Sequence, residues 1–422
     1  MSLDRSRAWS SLRAARMAAV VIVLAAPAVT AAEVLVVRGD VVHTMAGPRI
    51  TDGVVVIEDG RISAVGPAAT TPFPADAKLL RGAVVTPGLV DAHSVVGLAG
   101  HLNQPQDQDQ LDTAEAIQPQ LRALDAYNPQ ERLIEWLRGF GVTTIHTGHA
   151  PGALVSGQTM VVKLAGTTVE EAVLVPMAMV AVTLGDAARR EGGDADAKSP
   201  GTRSKAVAML RAELVKAQEY RRKRALADAS KHPDKDLGLE TMAGVLGGTV
   251  PLLVTADRAH DIASALRVAE EFGIRVVLDS AAEGYLLADR IKAAGVPVIV
   301  HPTMRRAGGG GETENLSFEN AATLRAAGIP IALQSGYESY VPKTRVVLFE
   351  AGLASVHGLT FEQALAAVTI DAATIIGVAD RVGSLAVGKD GDVAIYDGDP
   401  FEYTTHCTGV VIDGVIMSEE AR

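Results

Sequence analysis

The chain is poor in cysteine, in aromatic side chains and in long apolar runs. Its 422 residues include a single cysteine, Cys407, so an intramolecular disulfide is excluded. Aromatic residues make up 4% of the chain, but hydrophobic residues in total reach 48%, which is enough for one large core with a small satellite domain. No GxGxxG motif follows the first strand of the central region, so nothing supports a dinucleotide-binding crevice.

Positive charge is also scarce. There are 39 basic residues against 50 acidic ones, a formal charge of −11, and no basic patch interrupts the acidic surface. Such a surface repels nucleic acid and anionic lipid, so neither is expected as a partner. A small-molecule substrate or ligand is the expected partner, and the sequence leaves a homo-oligomer open.

The N-terminus has the three-part pattern of a secretory signal peptide. Four arginines precede the apolar run 17–29, which is followed by small residues up to Ala32. The run is shorter than the ~20 residues that a membrane span needs. We therefore predict a signal peptide over residues 1–32, cleaved near Ala31 or Ala32, and a periplasmic or secreted protein with no remaining span. Cleavage would remove four arginines and one aspartate and move the formal charge to −14.

Both ends of the mature chain have the pattern of β-structure. Short runs rich in β-branched residues, separated by Gly-Asp and Asp-Gly turns, fill residues 33–85 and return in residues 381–422. Two β segments at opposite ends of a chain most simply pair with each other. The sequence predicts a small split β-sandwich domain made from both ends.

The region 86–380 has a different pattern, in which short apolar runs alternate with helical stretches. Eight strand candidates occur: LVDAHSVV, GVTTIHTG, TMVVKLAG, VPMAMVAVTL, PLLVTA, RVVLDS, VPVIVHP and IPIALQS. Clear helical patterns cover 261–272, 284–294, 318–327 and 361–376, and a helical insertion at 187–247 follows the fourth strand. The pattern predicts α/β architecture, a (β/α)8 TIM-type barrel, with a doubly wound open sheet as the alternative.

Reactive groups in a parallel barrel stand at the carboxyl ends of its strands. The polar residues at or just after those ends are Asp91, His93, His146, Lys163, Asp186, Thr255, Asp279, His301, Gln334 and Ser335. Their convergence on one face predicts a site.

Several motifs resemble those of the amidohydrolase superfamily. TPGLVDAH at 86–93 is similar to its first-strand signature, and RVGSLAVGKDGDVAIYDGDP at 381–400 is similar to the return into its small β domain. GVTTIHTGHAPGALVSGQ, ADRAHDIASALRVAEEFGI and LTFEQALAAVTIDAATIIGV also resemble this family, most closely an exported, imidazolonepropionase-like branch. The resemblance covers the mature chain. It implies a metal-dependent hydrolase acting on non-peptide C–N bonds, in which divalent ions activate water.

The resemblance also implies a set of metal ligands, which this chain lacks in large part. The family pattern is a His-x-His pair on the first strand, a Lys or acid at the fourth, a His at the fifth and sixth, and an Asp at the eighth. The positions without these ligands hold Val95, Thr255, Asp279 with Ser280, and Gly336. His93 and Asp186 remain. We therefore predict a degenerate metal site, without the usual binuclear centre.

The remaining polar residues permit three interpretations. His93, His146 and His301 could together hold one zinc ion in a rebuilt site. Asp186 and Asp279, with Asp91, could act as bases without a metal, and Lys163 could anchor a carboxylate. The third interpretation is a catalytically inactive barrel, a pseudoenzyme, that binds a small polar ligand or a partner protein. For each residue the structural alternative is an ordinary hydrogen bond at a strand end.

Overall fold

The computed structural model describes residues 34–102, 104–189, 200–301, 303, 311–337 and 346–421. The predicted signal peptide at 1–32 lies outside them. Among the described residues no helix has both the length and the apolarity required to cross a membrane.

Strands from both chain ends form one sheet. Its seven strands are β1 (Leu35–Val42), β2 (Ile50–Glu58), β3 (Arg61–Pro67), β4 (Lys78–Pro87), β15 (Val393–Tyr396), β16 (Cys407–Ile412) and β17 (Val415–Ser418). They are hydrogen bonded in the order β17-β16-β15-β4-β1-β2-β3. The two ends meet where β4 pairs antiparallel with β15, with Val85 opposite Ile395. The predicted pairing of both ends is therefore present, within one continuous sheet and not as two separate sheets.

Ten further strands lie in the described part of the central region. They are β5 (Leu89–Ser94), β6 (Val142–Thr147), β7 (Val155–Gln158), β8 (Met160–Lys163), β9 (Val173–Val175), β10 (Val180–Thr183), β11 (Leu252–Ala256), β12 (Val276–Ser280), β13 (Val298–Val300) and β14 (Ile331–Leu333). One sheet has the order β14-β13-β12-β11-β10-β7, and the other has the order β5-β6-β8-β9. The two sheets are adjacent at the segment 155–163, because β7 belongs to the first sheet and β8, which follows it after one residue, belongs to the second. A parallel bridge also joins Ser94, at the end of β5, to Gly336, which follows β14.

The third strand of the predicted barrel corresponds to β7 and β8, and both run antiparallel to their neighbours β10 and β6. This corrects the prediction of an all-parallel barrel. β5 and β6 are parallel, as are β10 to β14, but β8 is antiparallel to β6 and β7 is antiparallel to β10. The physical reason is the short connection 148–154 between β6 and β7. A parallel crossover needs a dozen or more residues, so the chain can only turn back. Gly152 and Gly157 adopt positive φ angles of 155° and 138° on this return.

The helices occupy most of the predicted stretches. They are α1 (Arg132–Arg138), α2 (Val169–Ala172), α3 (Arg203–Arg224), α4 (Leu237–Leu246), α5 (Ala259–Phe272), α6 (Ala288–Ala294), α7 (Asn320–Ala326), α8 (Val347–Val356), α9 (Phe361–Ala367) and α10 (Ile370–Ile375). The predicted helix 361–376 is broken between α9 and α10, because the Val368 carbonyl accepts a hydrogen bond from Val90 N at 2.8 Å. α3 begins at a Thr202 cap that accepts from Lys205 N.

Side chains from strands of both sheets share one apolar interior. The strand residues of this cluster are Val90, Ala92, Val161, Leu253, Val277, Ile299 and Ala332, and all are buried. Ala372 and Ala373 of α10 belong to the same cluster and close one end of it. The opposite end, at the carboxyl ends of β11 to β14, holds the polar residues described next.

Candidate active site

A polar layer lies directly above the apolar interior. Side chains two residues apart on a strand point to the same face. Each of four neighbouring strands carries a polar residue two positions after its interior apolar residue. The pairs are Leu253 and Thr255, Val277 and Asp279, Ile299 and His301, and Ala332 and Gln334. This alternation places the polar groups at the predicted face.

Asp279 is the centre of this layer. Its Oδ1 atom lies 3.0 Å from His93 Nδ1 and accepts a hydrogen bond from Gln334 Nε2 at 2.7 Å. Its Oδ2 atom accepts from Thr255 Oγ1 at 2.5 Å. Burial opposes charge on both partners, but the attraction between them outweighs it, raising the pKa of His93 and lowering the pKa of Asp279. Both shifts favour an ion pair between a His93 imidazolium and the Asp279 carboxylate.

Asp91 forms a second buried centre beside the first. Its Oδ1 atom accepts from Ser335 N at 3.0 Å and from His93 N at 3.3 Å, and Ser335 Oγ donates to Oδ2. Burial raises the pKa of Asp91 to about 7, although these donors partly oppose the shift. Asp91 therefore ties the end of β5 to the residues after β14.

His146 is close to His93, and both of its ring nitrogens are engaged. The ring centroids are 5.6 Å apart. His146 Nδ1 lies 2.7 Å from Ala92 O, and Nε2 lies 2.6 Å from Thr159 Oγ1. Burial, together with the charge of His93, lowers the pKa of His146 to about 3, so the ring is neutral. Nδ1–H then donates to the carbonyl, and Nε2 accepts from the threonine hydroxyl.

His301 packs against the backbone of Gly336, the position where the family pattern has an aspartate. Gly336 has a φ angle of 68°, and a Cβ atom there would lie 2.6 Å from the His301 ring. The imidazole therefore occupies the space that a larger side chain at 336 would need.

Asp186 lies at the rim and is partly exposed. Its carboxylate contacts Arg189 Nη1 at 2.8 Å and Arg203 Nη2 at 2.9 Å. Burial alone would raise the pKa of Asp186, but these arginines lower it on balance. The carboxylate is thus held in a surface ion-pair network.

Lys163 is not at this face, which corrects its prediction as a site residue. Because β8 runs antiparallel to β6, Lys163 lies opposite Thr144 near the start of β6, while Thr159 reaches His146. Lys163 Nζ instead contacts Asp390 Oδ2 at 2.7 Å, Asp392 Oδ1 at 2.9 Å and Asp413 Oδ1. It joins the central region to the seven-stranded sheet.

Sequence reasoning missed Asp257, which follows β11 by one residue. Its carboxylate accepts a hydrogen bond from Ala282 N at 3.2 Å. Burial raises the pKa of Asp257 to about 7, and the charges of Glu312 and Asp279 add to the shift. A carboxyl group that titrates near neutral pH can both take up and release a proton during a reaction. The sequence feature that could have identified Asp257 is its position one residue after the end of β11.

The described donors do not fit the metal centre that the family pattern implies. His93 Nδ1 is bound to Asp279, and both nitrogens of His146 are engaged. Val95 and Gly336 supply no donor. Within the described part of the chain, no group of three or more His, Cys, Asp or Glu side chains is arranged to hold a metal ion. The predicted zinc triad of His93, His146 and His301 is therefore not assembled in this geometry.

The chain belongs to the amidohydrolase family, whose sequence profile matches residues 111–417. It is 28% identical over 385 residues to an imidazolonepropionase of Stenotrophomonas maltophilia, covering 83% of this chain and 87% of that protein. An imidazolonepropionase of Rhizorhabdus wittichii is 26% identical over 398 residues, covering 84% and 91%. The crystal structure of an amidohydrolase from Thermotoga maritima has a TM-score of 0.85 and 28% identity, with 92% and 100% covered.

These similarities confirm the predicted family and its hydrolysis of C–N bonds as a class. Family members typically bind zinc or another divalent metal. The exported branch and the degenerate metal site remain predictions.

Proposed function

We propose that this chain hydrolyses non-peptide C–N bonds of small amides or cyclic amides with its own acid–base groups. The observation that carries the proposal is the buried contact between His93 Nδ1 and Asp279. A carboxylate on one ring nitrogen fixes the orientation of an imidazole and leaves the other nitrogen for the substrate. His93 is 3% exposed and Asp279 is 2% exposed, so the pair is shielded from bulk water.

The proposed reaction assigns a base and an acid to separate residues. Ionised Asp257 takes a proton from water as the water oxygen bonds to the carbonyl carbon. The His93 imidazolium, through Nε2–H, protonates the leaving nitrogen as the C–N bond breaks. The products are a carboxylic acid and an amine, and one proton transfer from Asp257 to His93 restores both groups. Asp279 acts on His93 as a positioning residue.

The scaffold for this chemistry is proposed to be one TIM-type barrel with a reversed third strand. The common apolar interior and the bridge between Ser94 and Gly336 support this interpretation. We also propose that the protein works after export, which rests on the signal-peptide pattern of residues 1–32.

The test is a substrate panel assayed with the purified chain. Imidazolonepropionate, the compound that the relatives' names indicate, would be assayed with cyclic imides and N-acyl amino acids, each with a chelator and with added zinc. We expect turnover that survives chelation, is lost in His93→Gln and is retained in His260→Gln, which changes an exposed histidine. Turnover that requires added zinc would overturn the metal-free mechanism and leave the hydrolase assignment standing.

A second candidate is a non-catalytic barrel that binds a polar small molecule. The internal pairing of the site favours the absence of catalysis in this candidate, because Thr255 and Gln334 both donate to Asp279 and Ser335 donates to Asp91. These groups are satisfied without a ligand. Thermal stabilisation by a panel compound, without turnover of that compound, would select this candidate.

A further inference from the structure

The chain leaves β12 through a strained turn. Ser280 is the last residue of this strand, and Ser280 and Ala281 have φ angles of 71° and 52°. Ala281 N donates to the Asp279 carbonyl at 3.0 Å, so Ser280 is the central residue of a γ-turn with a positive φ angle. This form of the γ-turn is rare and strained. The turn begins at Asp279, the residue that contacts His93 Nδ1.

Ser280 and Ala281 are an exception within the described part of the chain. No other two adjacent non-glycine residues there both have positive φ angles. Three of the four remaining residues of this kind are aspartates, which tolerate the conformation better than serine or alanine. Strain of this kind persists where the surrounding structure imposes it, and it concentrates at active sites.

Neighbouring segments hold the turn in this conformation. The Ser280 carbonyl accepts a hydrogen bond from His301 N at 3.0 Å, just after β13. The Ala281 carbonyl accepts from Asn320 Nδ2 at 2.9 Å, at the start of α7. Both turn residues are buried. Relaxation of the turn would therefore break hydrogen bonds to two separate parts of the fold.

The residues of this turn donate to Asp257. Ala282 N donates to Asp257 Oδ1 at 3.2 Å, and Glu283 N donates to the Asp257 carbonyl at 2.8 Å. Burial raises the pKa of Asp257 to about 7, while hydrogen bonds from Ala282 N and the Ser280 hydroxyl partly oppose the shift. Glu283 Oε2 also accepts from Ala259 N at 2.7 Å. The residues that end β12 therefore hold those that follow β11 through both side chain and backbone.

We propose that Ser280 is a positioning residue, which through its strained turn and its hydroxyl holds the Asp257 carboxyl in place relative to Asp279 and His93. One end of the turn is Asp279, which contacts the proposed acid, and the other end is Ala282, which binds the proposed base. The turn thereby fixes the spacing of the two groups. Its effect on turnover rests on the proposed function, but its hold on Asp257 can be measured without any substrate.

The substrate-free test is a pH titration of Asp257 by NMR, in protein labelled with ¹³C at the aspartate carboxyl groups and with Asp257→Asn to assign the signal. Ser280→Ala removes the hydroxyl and keeps the backbone, since Ala281 shows that this turn accommodates alanine at a positive φ angle. We expect Asp257 to titrate at higher pH in this variant, because a donor to the ionised carboxyl is lost. The charges of Glu312 and Asp279, which also act on Asp257, are unchanged. An unchanged titration would overturn the proposal.

The second test relaxes the turn. Ser280→Gly removes the hydroxyl together with the strain, because glycine adopts positive φ angles without steric cost. In the proposed reaction kcat should fall about 10- to 100-fold with little change in KM, because the base is no longer held in place. The acidic limb of the kcat/KM profile should move to higher pH. Asp59→Gly is the matched control, since it relaxes an exposed residue with a φ angle of 51° in the turn between β2 and β3 and should leave turnover unchanged.

The two tests separate the role of Ser280 from the proposed function. If the wild-type chain turns over no compound of the panel, the hydrolase mechanism fails, and the titration of Asp257 in Ser280→Ala still decides the role of Ser280. If turnover is present, an unchanged pH profile in Ser280→Gly overturns that role and leaves the hydrolase assignment standing. Should Ser280→Ala not fold, the same titration of Ser280→Gly takes its place.

Discussion

Two buried clusters of charged side chains in this chain differ in how their charges are balanced. At the strand ends, Asp279 pairs with His93 and is otherwise surrounded by uncharged donors. In the second cluster, one ammonium group, Lys163, is surrounded by three carboxylates. The first arrangement pairs one imidazole with one carboxylate, while the second surrounds a lysine, whose pKa is raised by its carboxylate partners against the effect of burial. The difference separates a candidate reaction centre from a structural connection.

The largest expected effect concerns the structural cluster. Lys163→Met leaves the buried carboxylates of Asp390 and Asp392 without their common cation. The free energy of unfolding, measured by urea titration, should fall by about 3–5 kcal/mol. The loss should be greater at pH 8 than at pH 5, because protonation relieves uncompensated carboxylates at lower pH.

The matched control is Lys216→Met, which changes an exposed lysine paired with Glu213. It should alter stability by no more than about 0.5 kcal/mol. A Lys163→Met protein as stable as this control would show that the cluster contributes nothing net to stability.

The next effect concerns the reaction centre. Asp279→Asn keeps the shape of the side chain but removes the charge that raises the pKa of His93 and orients its ring. The value of kcat should fall about 100-fold with little change in KM, and the pH profile should shift because the pKa of His93 falls. Asp289→Asn, on an exposed part of α6, is the control. An unchanged pH profile would reduce Asp279 to a packing role.

The smallest effect concerns Asp257, whose pKa is raised to about 7. A carboxyl group with a raised folded-state pKa stabilises the fold below its unfolded pKa near 4, and this contribution is lost as the pH rises through 7. Asp257→Asn cannot ionise, so it should be more stable than wild type by about 1–2 kcal/mol at pH 8 and equal to it at pH 4. Thermal unfolding at both pH values measures the difference.

The same variant should lose hydrolysis at every pH, because it removes the proposed base. A variant that is more stable but has no turnover would indicate that the wild-type carboxylate of Asp257 lowers stability in return for activity. Retained turnover would remove Asp257 from the mechanism.

The sequence predicted the polar layer well and the partners within it poorly. Side chains alternate between the two faces of a strand every two residues, and this alternation along β11 to β14 places Thr255 and Asp279 above apolar residues. The two-residue spacing can be read from the sequence. The contact between His93 and Asp279 spans 186 positions along the chain, and no local pattern encodes it. The raised pKa of Asp257 depends in the same way on burial and on the distant Glu312.

The position of Lys163 was predicted wrongly because all strands were expected to be parallel. The connection of seven residues at 148–154 is too short for a parallel crossover, so its length contained the missing information. The β propensity of MVVK in β8 predicts a strand but not its direction, because the segment is apolar and β-branched whichever way it runs. Strand direction was decided by the connection and not by the strand itself.

The pairing of Lys163 with Asp413 also sets a delay during synthesis of the protein. The two residues are 250 positions apart. Ribosomes add about 5–20 residues per second, so the lysine waits on the order of tens of seconds for this carboxylate to be made. During that time β8 cannot bury its charged end with its native partners. The nascent chain must keep this end of the strand in water until the last strands of the seven-stranded sheet have emerged.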